Sequence, residues 1–235
     1  MIIPCIDLME RKVVQLVQGR EKKLELPDPL VVLKKFADFP EIQVIDLDAA
    51  IGGPDSSRNA EIVRDLCARK TCRVGGGIRS VERAMEVLAQ GALKVIVGSS
   101  AFTSDGIDLT FLRALAVSIP RERIMIAVDS LGGQVAIHGW RTVLPLKTAD
   151  AVAQLEPYCS EFLSTYIDGE GKLQGTSMEH FRGLRAVTKL PITAAGGITT
   201  DEEVAALEAL GMHAAMGMAI YRKVFPHLFG DSMLG

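Results

Sequence analysis

Four motifs recur in this chain at a nearly constant spacing, and that recurrence limits the possible folds more than any other feature of the sequence. Gly75-Gly76-Gly77-Ile78 returns as Ala195-Gly196-Gly197-Ile198, 120 positions on (76 to 196). Val97-Gly98-Ser99-Ser100-Ala101 returns as Met216-Gly217-Met218-Ala219, 119 positions on (98 to 217). Ile45-Asp46 is matched by Ile167-Asp168, and Asp7 by Asp129, each pair 122 apart (46 to 168, 7 to 129). Both aspartates of the last pair close apolar runs, Ile2-Ile3-Pro4-Cys5-Ile6 and Ile124-Met125-Ile126-Ala127-Val128. One such match lies within reach of chance. Four at a common offset mark an internal duplication.

Eight apolar runs read as strands: residues 2–6, 42–47, 72–75, 93–98, 124–129, 162–167, 191–195 and 213–217. They are near-continuous rather than alternating, the pattern of strands buried on both faces. Amphipathic segments lie between them. Residues 81–90 place Val81, Ala84, Met85, Leu88 and Ala89 on one face. Residues 200–210 open with a Thr200/Glu203 capping box and stop before Gly211. Eight strand–helix units in 235 residues predict an α/β fold, a single (β/α)8 TIM barrel over 1–235. The duplication divides it into two (β/α)4 half-barrels, about 1–120 and 121–235. A doubly wound sheet is the alternative, but it rarely uses eight such regular units. One segment breaks the symmetry: Leu131-Gly132-Gly133-Gln134 reads as a turn between two short strands, a hairpin in the loop after strand 5. It carries Trp140, the only tryptophan, towards the end of the barrel where loops hold the chemistry.

Composition narrows the function class. A net charge of −3 with no basic block argues against a nucleic-acid surface. No apolar run approaches the roughly 18 residues of a membrane span, and Pro4 and Asp7 interrupt any signal-peptide core. Cys5, Cys67, Cys72 and Cys159 form no C-x-x-C pair and read as reduced thiols of a cytoplasmic protein. His138, His180, His213 and His227 are scattered, without metal-ligand spacing, so no metal is expected. Lys94 lies at the start of strand 4, at the wrong end of the barrel for a Schiff base. Neither a G-x-S-x-G elbow nor a dinucleotide fingerprint in context is present, so no cofactor is expected.

The glycine motifs suit phosphate. Glycine lets backbone N–H groups approach the oxygens, and the following helix N-terminus adds a favourable dipole. Gly196-Gly197 with Gly217-Met218 occupies the usual phosphate position of this fold, after strands 7 and 8. Gly76-Gly77 with Gly98-Ser99 repeats it after strands 3 and 4. Tight turns alone would also explain these glycines. Two cradles across one opening imply a substrate with a phosphate at each end. Arg79 and Arg20 either add charge-assisted contacts or face solvent. Asp7, Asp129, the Asp46/Asp48 pair and Thr165 remain at the opening. Two carboxylates without a metal suit proton transfer, provided that burial or a like charge raises one pKa. The rival reading makes Asp7 and Asp129 helix caps or partners of loop amides. Asp46 and Asp48 either hold the loop that Gly52-Gly53 terminates or, for Asp48, reach the substrate.

Over nearly its whole length the chain resembles the ProFAR isomerases of histidine biosynthesis (phosphoribosylformimino-aminoimidazole carboxamide ribotide isomerases). The matching residues are Ile3-Pro4-Cys5-Ile6-Asp7-Leu8, Val17-Gln18-Gly19, Asp46-Leu47-Asp48-Ala49, Gly75-Gly76-Gly77-Ile78-Arg79, Val97-Gly98-Ser99, Asp129 with Gly139-Trp140, Thr165, and Ala195-Gly196-Gly197-Ile198. The resemblance implies an Amadori rearrangement of an aminoaldose to an aminoketose. By that analogy Asp129 is the general acid at the ribose ring oxygen and Asp7 the general base at C2. Thr165 orients the substrate and Trp140 stacks on it. Leu131, the Met9-Glu10-Arg11-Lys12 loop, Glu170-Gly171-Lys172 and Met218 depart from the family's pattern without removing the acid, the base or a phosphate glycine.

Three rivals remain. One is an isomerase of phosphoribosyl anthranilate, alone or as a second activity. Another is the sister cyclase subunit, against which Gly139-Trp140 argues. The third is a non-catalytic phosphosugar-binding barrel. A monomer acting on a small bisphosphorylated ribotide is expected, with no nucleic-acid or membrane partner.

Overall fold

The computed structural model describes residues 1–17, 21–52, 58–222 and 224–228. Gln18, Gly19, Arg20 and Gly53, all named above, lie outside the described residues. Eight parallel strands form the barrel: β1 (Ile2–Met9), β2 (Glu41–Asp46), β3 (Thr71–Gly75), β4 (Lys94–Val97), β5 (Ile124–Ala127), β6 (Glu161–Thr165), β7 (Ile192–Ala195) and β8 (Met212–Met216). Each pairs with the next in sequence order. The ring closes where β1 meets β8, with Ile2 opposite Ala214 and Pro4 opposite Met216. All eight expected strands are present, within a few residues of their expected ends. No helix among the described residues is long and apolar enough to cross a membrane.

Parallel strands buried on both faces need two cores. Cys5, Ile96, Met125, Leu163 and Ala215 pack inside the barrel, and a much larger apolar layer lies between the strands and the outer helices. The interior is polar at the N-terminal ends of the strands. Glu161, only 2% exposed, accepts hydrogen bonds from Arg73 (2.6 Å), Lys94 (2.7 Å) and the Thr193 hydroxyl (2.7 Å). Arg73 also donates to Glu41 at 2.7 Å. Burial pushes the Glu161 carboxyl upward, but Arg73 and Lys94 beside it bring it below its ordinary range. Lys94 is thereby committed to the closed floor, away from the open end.

The outer helices follow their local signals, with one correction. The helix Val81–Ala89 is capped by the Ser80 hydroxyl and buries Ala84 and Val87. Met85 and Ala89, placed above on the apolar face, are both exposed, Met85 by 51%. The helix Asp201–Ala209 opens with the expected capping box, the Thr200 hydroxyl and the Glu203 carboxylate each bonding the other's backbone.

Two insertions at the open end bear on the site. After β1 the chain doubles back as an antiparallel pair, Lys12–Val17 and Glu21–Leu26, which extends the sheet beyond β1. The turn holds Glu10 and Arg11 at φ 51° and 67°, left-handed values that strain residues other than glycine. Side-chain acceptors hold this turn in place. Glu10 N donates to Asp48 at 2.9 Å and Arg11 N to Asn59 at 3.0 Å. The second insertion is the hairpin expected after β5. Ser130–Leu131 pairs with Gln134–Ile137 through Gly132 and Gly133, both at positive φ, and Thr142–Lys147 adds a third strand.

Candidate active site

The open end of the barrel holds a cavity of about 510 Å³, a size suited to a small organic ligand. Asp7, Asp129, Thr165, Gly76, Gly77, Arg79, Gly98, Ser99, Trp140, Gly196, Gly197, Gly217 and Met218 all line it. Asp48 does not. Its carboxylate accepts from Glu10 N and from Asn59 Nδ2 at 3.0 Å, so it serves the hairpin turn and not the cavity. Asp46 is likewise occupied, by Ala49 N at 3.1 Å and Asn59 Nδ2 at 2.8 Å. Arg20 lies outside the described residues. Arg79 stands at the rim with its guanidinium donating to the Ala50 carbonyl at 2.6 Å.

The glycines of the two halves match closely in geometry. A β-carbon on Gly76 (φ 103°) would overlap the Asp46 carbonyl oxygen; one on Gly196 (φ 94°) would overlap that of Tyr166. Neighbouring backbone therefore demands glycine at both places, whatever binds in front. The pairing also corrects the repeat. Tyr166, not Asp168, is the counterpart of Asp46, at the same 120-residue offset (46 to 166) that relates Gly76 to Gly196. Asp168 instead accepts from Gly132 N at 3.0 Å, tying its loop to the β5 hairpin. Gly98 and Gly217 share an unusual backbone conformation (φ −105°, ψ −116° and φ −103°, ψ −97°), each opening a short helix. Among the described residues, chain neighbours aside, nothing lies within 4 Å of where a Gly98 β-carbon would stand. Its missing side chain leaves room in the cavity rather than relieving a clash.

The two aspartates differ in setting. β1 continues to Met9, so Asp7 lies within a strand, opposite Ile45 of β2 and Val14 of the arm. Asp129 stands two residues beyond the end of β5. Burial pushes the Asp7 carboxyl up to about 7. Burial also raises Asp129, but the Trp140 indole (Nε1 to Oδ2, 2.7 Å) and the Thr165 backbone N–H (3.1 Å) both favour its ionised form. His138, Gly139 and Trp140 all have φ between 55° and 65°, a left-handed turn that swings the indole over the cavity. His138 N donates to Ser99 Oγ at 2.7 Å, fastening that turn to the cradle after β4.

A third carboxylate shares the space. Burial, then the fields of Asp7 and Asp129, push Glu170 up to about 7. Sequence reading marked it only as a departure from a pattern; its position soon after β6 was the one signal available. Gln15, on the arm after β1, also lines the cavity and was missed, because the arm was not read as strand.

A family model described as histidine biosynthesis protein matches residues 1–226. The chain is 35% identical over 228 residues to a protein of Methanocaldococcus jannaschii, covering 94% of this chain and 93% of the relative. It is 35% identical over 229 residues to one of Synechococcus sp. strain JA-3-3Ab (94% and 85%) and 33% over 227 residues to one of Aquifex aeolicus (94% and 92%). Each relative is named 1-(5-phosphoribosyl)-5-((5-phosphoribosylamino)methylideneamino) imidazole-4-carboxamide isomerase. A closed eightfold barrel with paired glycine cradles, matched by a family model along almost its whole length, belongs to the histidine biosynthesis protein family.

Proposed function

We propose that this chain is an aldose–ketose isomerase that converts ProFAR to its ribulosyl form by an Amadori rearrangement. The observation that carries the reading is one cavity holding Asp7 and Asp129 between two glycine cradles. The relatives' names point to the same bisphosphorylated ribotide. Asp129 donates a proton to the ribose ring oxygen, and the ring opens to a Schiff base. Asp7 then takes the C2 proton, and the resulting enolamine tautomerises to the ketose. A base near 7 exchanges protons readily at neutral pH.

In the free enzyme the acid is capped by Trp140. When the indole leaves to stack on the substrate, Asp129 loses a donor that favoured its ionised form and retains its proton to higher pH. Thr165 keeps the carboxylate in place through its backbone. The same reading makes the protein a cytoplasmic monomer acting on a small molecule, apart from nucleic acid and membrane.

The deciding assay offers purified protein ProFAR and phosphoribosyl anthranilate side by side, with and without EDTA. Turnover of ProFAR, unchanged by EDTA, is expected. Tight binding without turnover would favour a non-catalytic phosphosugar barrel, and turnover of the anthranilate would add the second activity.

A further inference from the structure

The arm that leaves β1 brings Gln15 into the cavity between two groups the mechanism uses. Gln15 is 3% exposed, and a buried amide needs partners. Its Nε2 donates to Asp7 Oδ2 at 3.4 Å. Its Oε1 lies against the turn after β8: a β-carbon on Gly217 would overlap Oε1 and stand 3.2 Å from Cδ. The arm's register slips between Gln15 and Leu16. Successive residues of a regular strand face opposite ways, yet Gln15 and Leu16 both line the cavity. Such irregularities re-aim side chains beside active sites.

Asp7 has no other hydrogen-bond donor among the described residues. Burial alone raises Asp7 itself, and its charge in turn raises Cys5, Glu170 and Tyr221, none of them cationic. A neutral amide can orient the carboxylate without the strong stabilisation of its charge that an Arg or Lys would bring.

We propose that Gln15 is a positioning residue that couples the phosphate cradle after β8 to the catalytic base, its amide orienting the Asp7 carboxylate while its carbonyl end rests on the Gly217 turn. The inference rests on Asp7 being the base. A phosphate seated at Gly217 meets Oε1 and presses the carboxamide towards Asp7. The 3.4 Å contact then shortens, as catalytic hydrogen bonds often do once substrate is bound.

Gln15→Met keeps the length of the side chain and removes the donor. Its kcat is expected to fall roughly 10-fold, about 1.4 kcal/mol, with KM little changed. The acidic limb of kcat/KM moves to higher pH, because Asp7 loses a donor that favoured its ionised form. Gly217→Ala presses on the carboxamide from the cradle side and should move the same limb the opposite way, to lower pH, while also raising KM. A folded Gln15→Met enzyme with wild-type kcat and an unmoved limb overturns the proposal. If Gln15→Met does not fold, an unmoved limb in Gly217→Ala does so instead. Asp7→Asn separates the two levels: its inactivity beside a normal Gln15→Met removes only the coupling, whereas its wild-type turnover removes the base assignment as well.

Discussion

Replacing Trp140 by phenylalanine removes one hydrogen-bond donor from the cavity while keeping a ring to stack on the substrate. In the free enzyme that donor is 2.7 Å from Asp129 Oδ2, the length of a charge-assisted bond. Bonds of this kind contribute about 1.5–3 kcal/mol, and one pKa unit corresponds to about 1.4 kcal/mol. The indole favours the carboxylate, so its loss lets Asp129 keep its proton to higher pH. The acid is active when protonated, and activity is lost as pH rises through its pKa. The basic limb of the kcat/KM profile, which reports the free enzyme, should therefore move upward by about 1–2 pH units. The kcat profile reports the substrate complex, where Trp140 has already left Asp129. Its basic limb should stay near the wild-type position. Steady-state kinetics from pH 5 to 10 on both enzymes supplies the comparison. An unmoved kcat/KM limb, or a downward shift, would refute the idea that Trp140 caps the acid; equal shifts in both profiles would show that the indole never leaves it.

Asp7→Asn and Asp129→Asn should each lower kcat by at least roughly 10²-fold, the scale of general acid–base catalysis; near-wild-type kcat in either cancels that residue's role. Glu170→Gln removes a negative charge that faces both aspartates. The acidic limb of its profile should move to lower pH, and an unmoved limb would place Glu170 electrostatically apart from Asp7. Glu161→Gln leaves Arg73 and Lys94 short of a buried partner and should cost about 3–5 kcal/mol, lowering Tm by roughly 6–20 °C in a chain of this size. Because Glu161 is held below its ordinary range, its contribution is present above the unfolded carboxyl pKa and lost as pH falls through the folded one. The Tm gap between wild type and Glu161→Gln should accordingly narrow in acid. Gly196→Ala, blocked by the Tyr166 carbonyl, should fold poorly. Gly98→Ala, with no described residue beyond its chain neighbours near its β-carbon, should fold normally and raise KM; equal stability losses in the two would contradict the distinction.

Much of the framework was legible before any coordinates. Strands buried on both faces must be apolar throughout, so all eight announced themselves, and the offset of the glycine motifs disclosed the duplication. The hairpin after β5 was visible because Gly132 and Gly133 supply the two left-handed residues its turn requires. The arm after β1 was not read, since its turn uses Glu10 and Arg11 where a hairpin signal would be glycine or asparagine, although Val13, Val14, Leu16 and Val17 of its strand Lys12–Val17 did carry an apolar, mostly β-branched strand signal. The Asp46–Asp168 match misled for a related reason. Two-residue identity is weaker than backbone contact, and the contact of Gly196 singles out Tyr166.

The sequence by itself determined the barrel, its duplication, the family, and most of the residues at its open end, because hydrophobic pattern and glycine spacing are local properties of the chain. Only the tertiary structure decided what those residues do to one another. Asp48 turned out to serve a strained turn. Trp140 caps an acid, Glu170 joins two aspartates, and Gln15 reaches one of them across a slipped register. Each depends on which side chains meet across segments distant in sequence, and on how deeply burial removes water from a carboxylate. No spacing along the chain encodes those quantities.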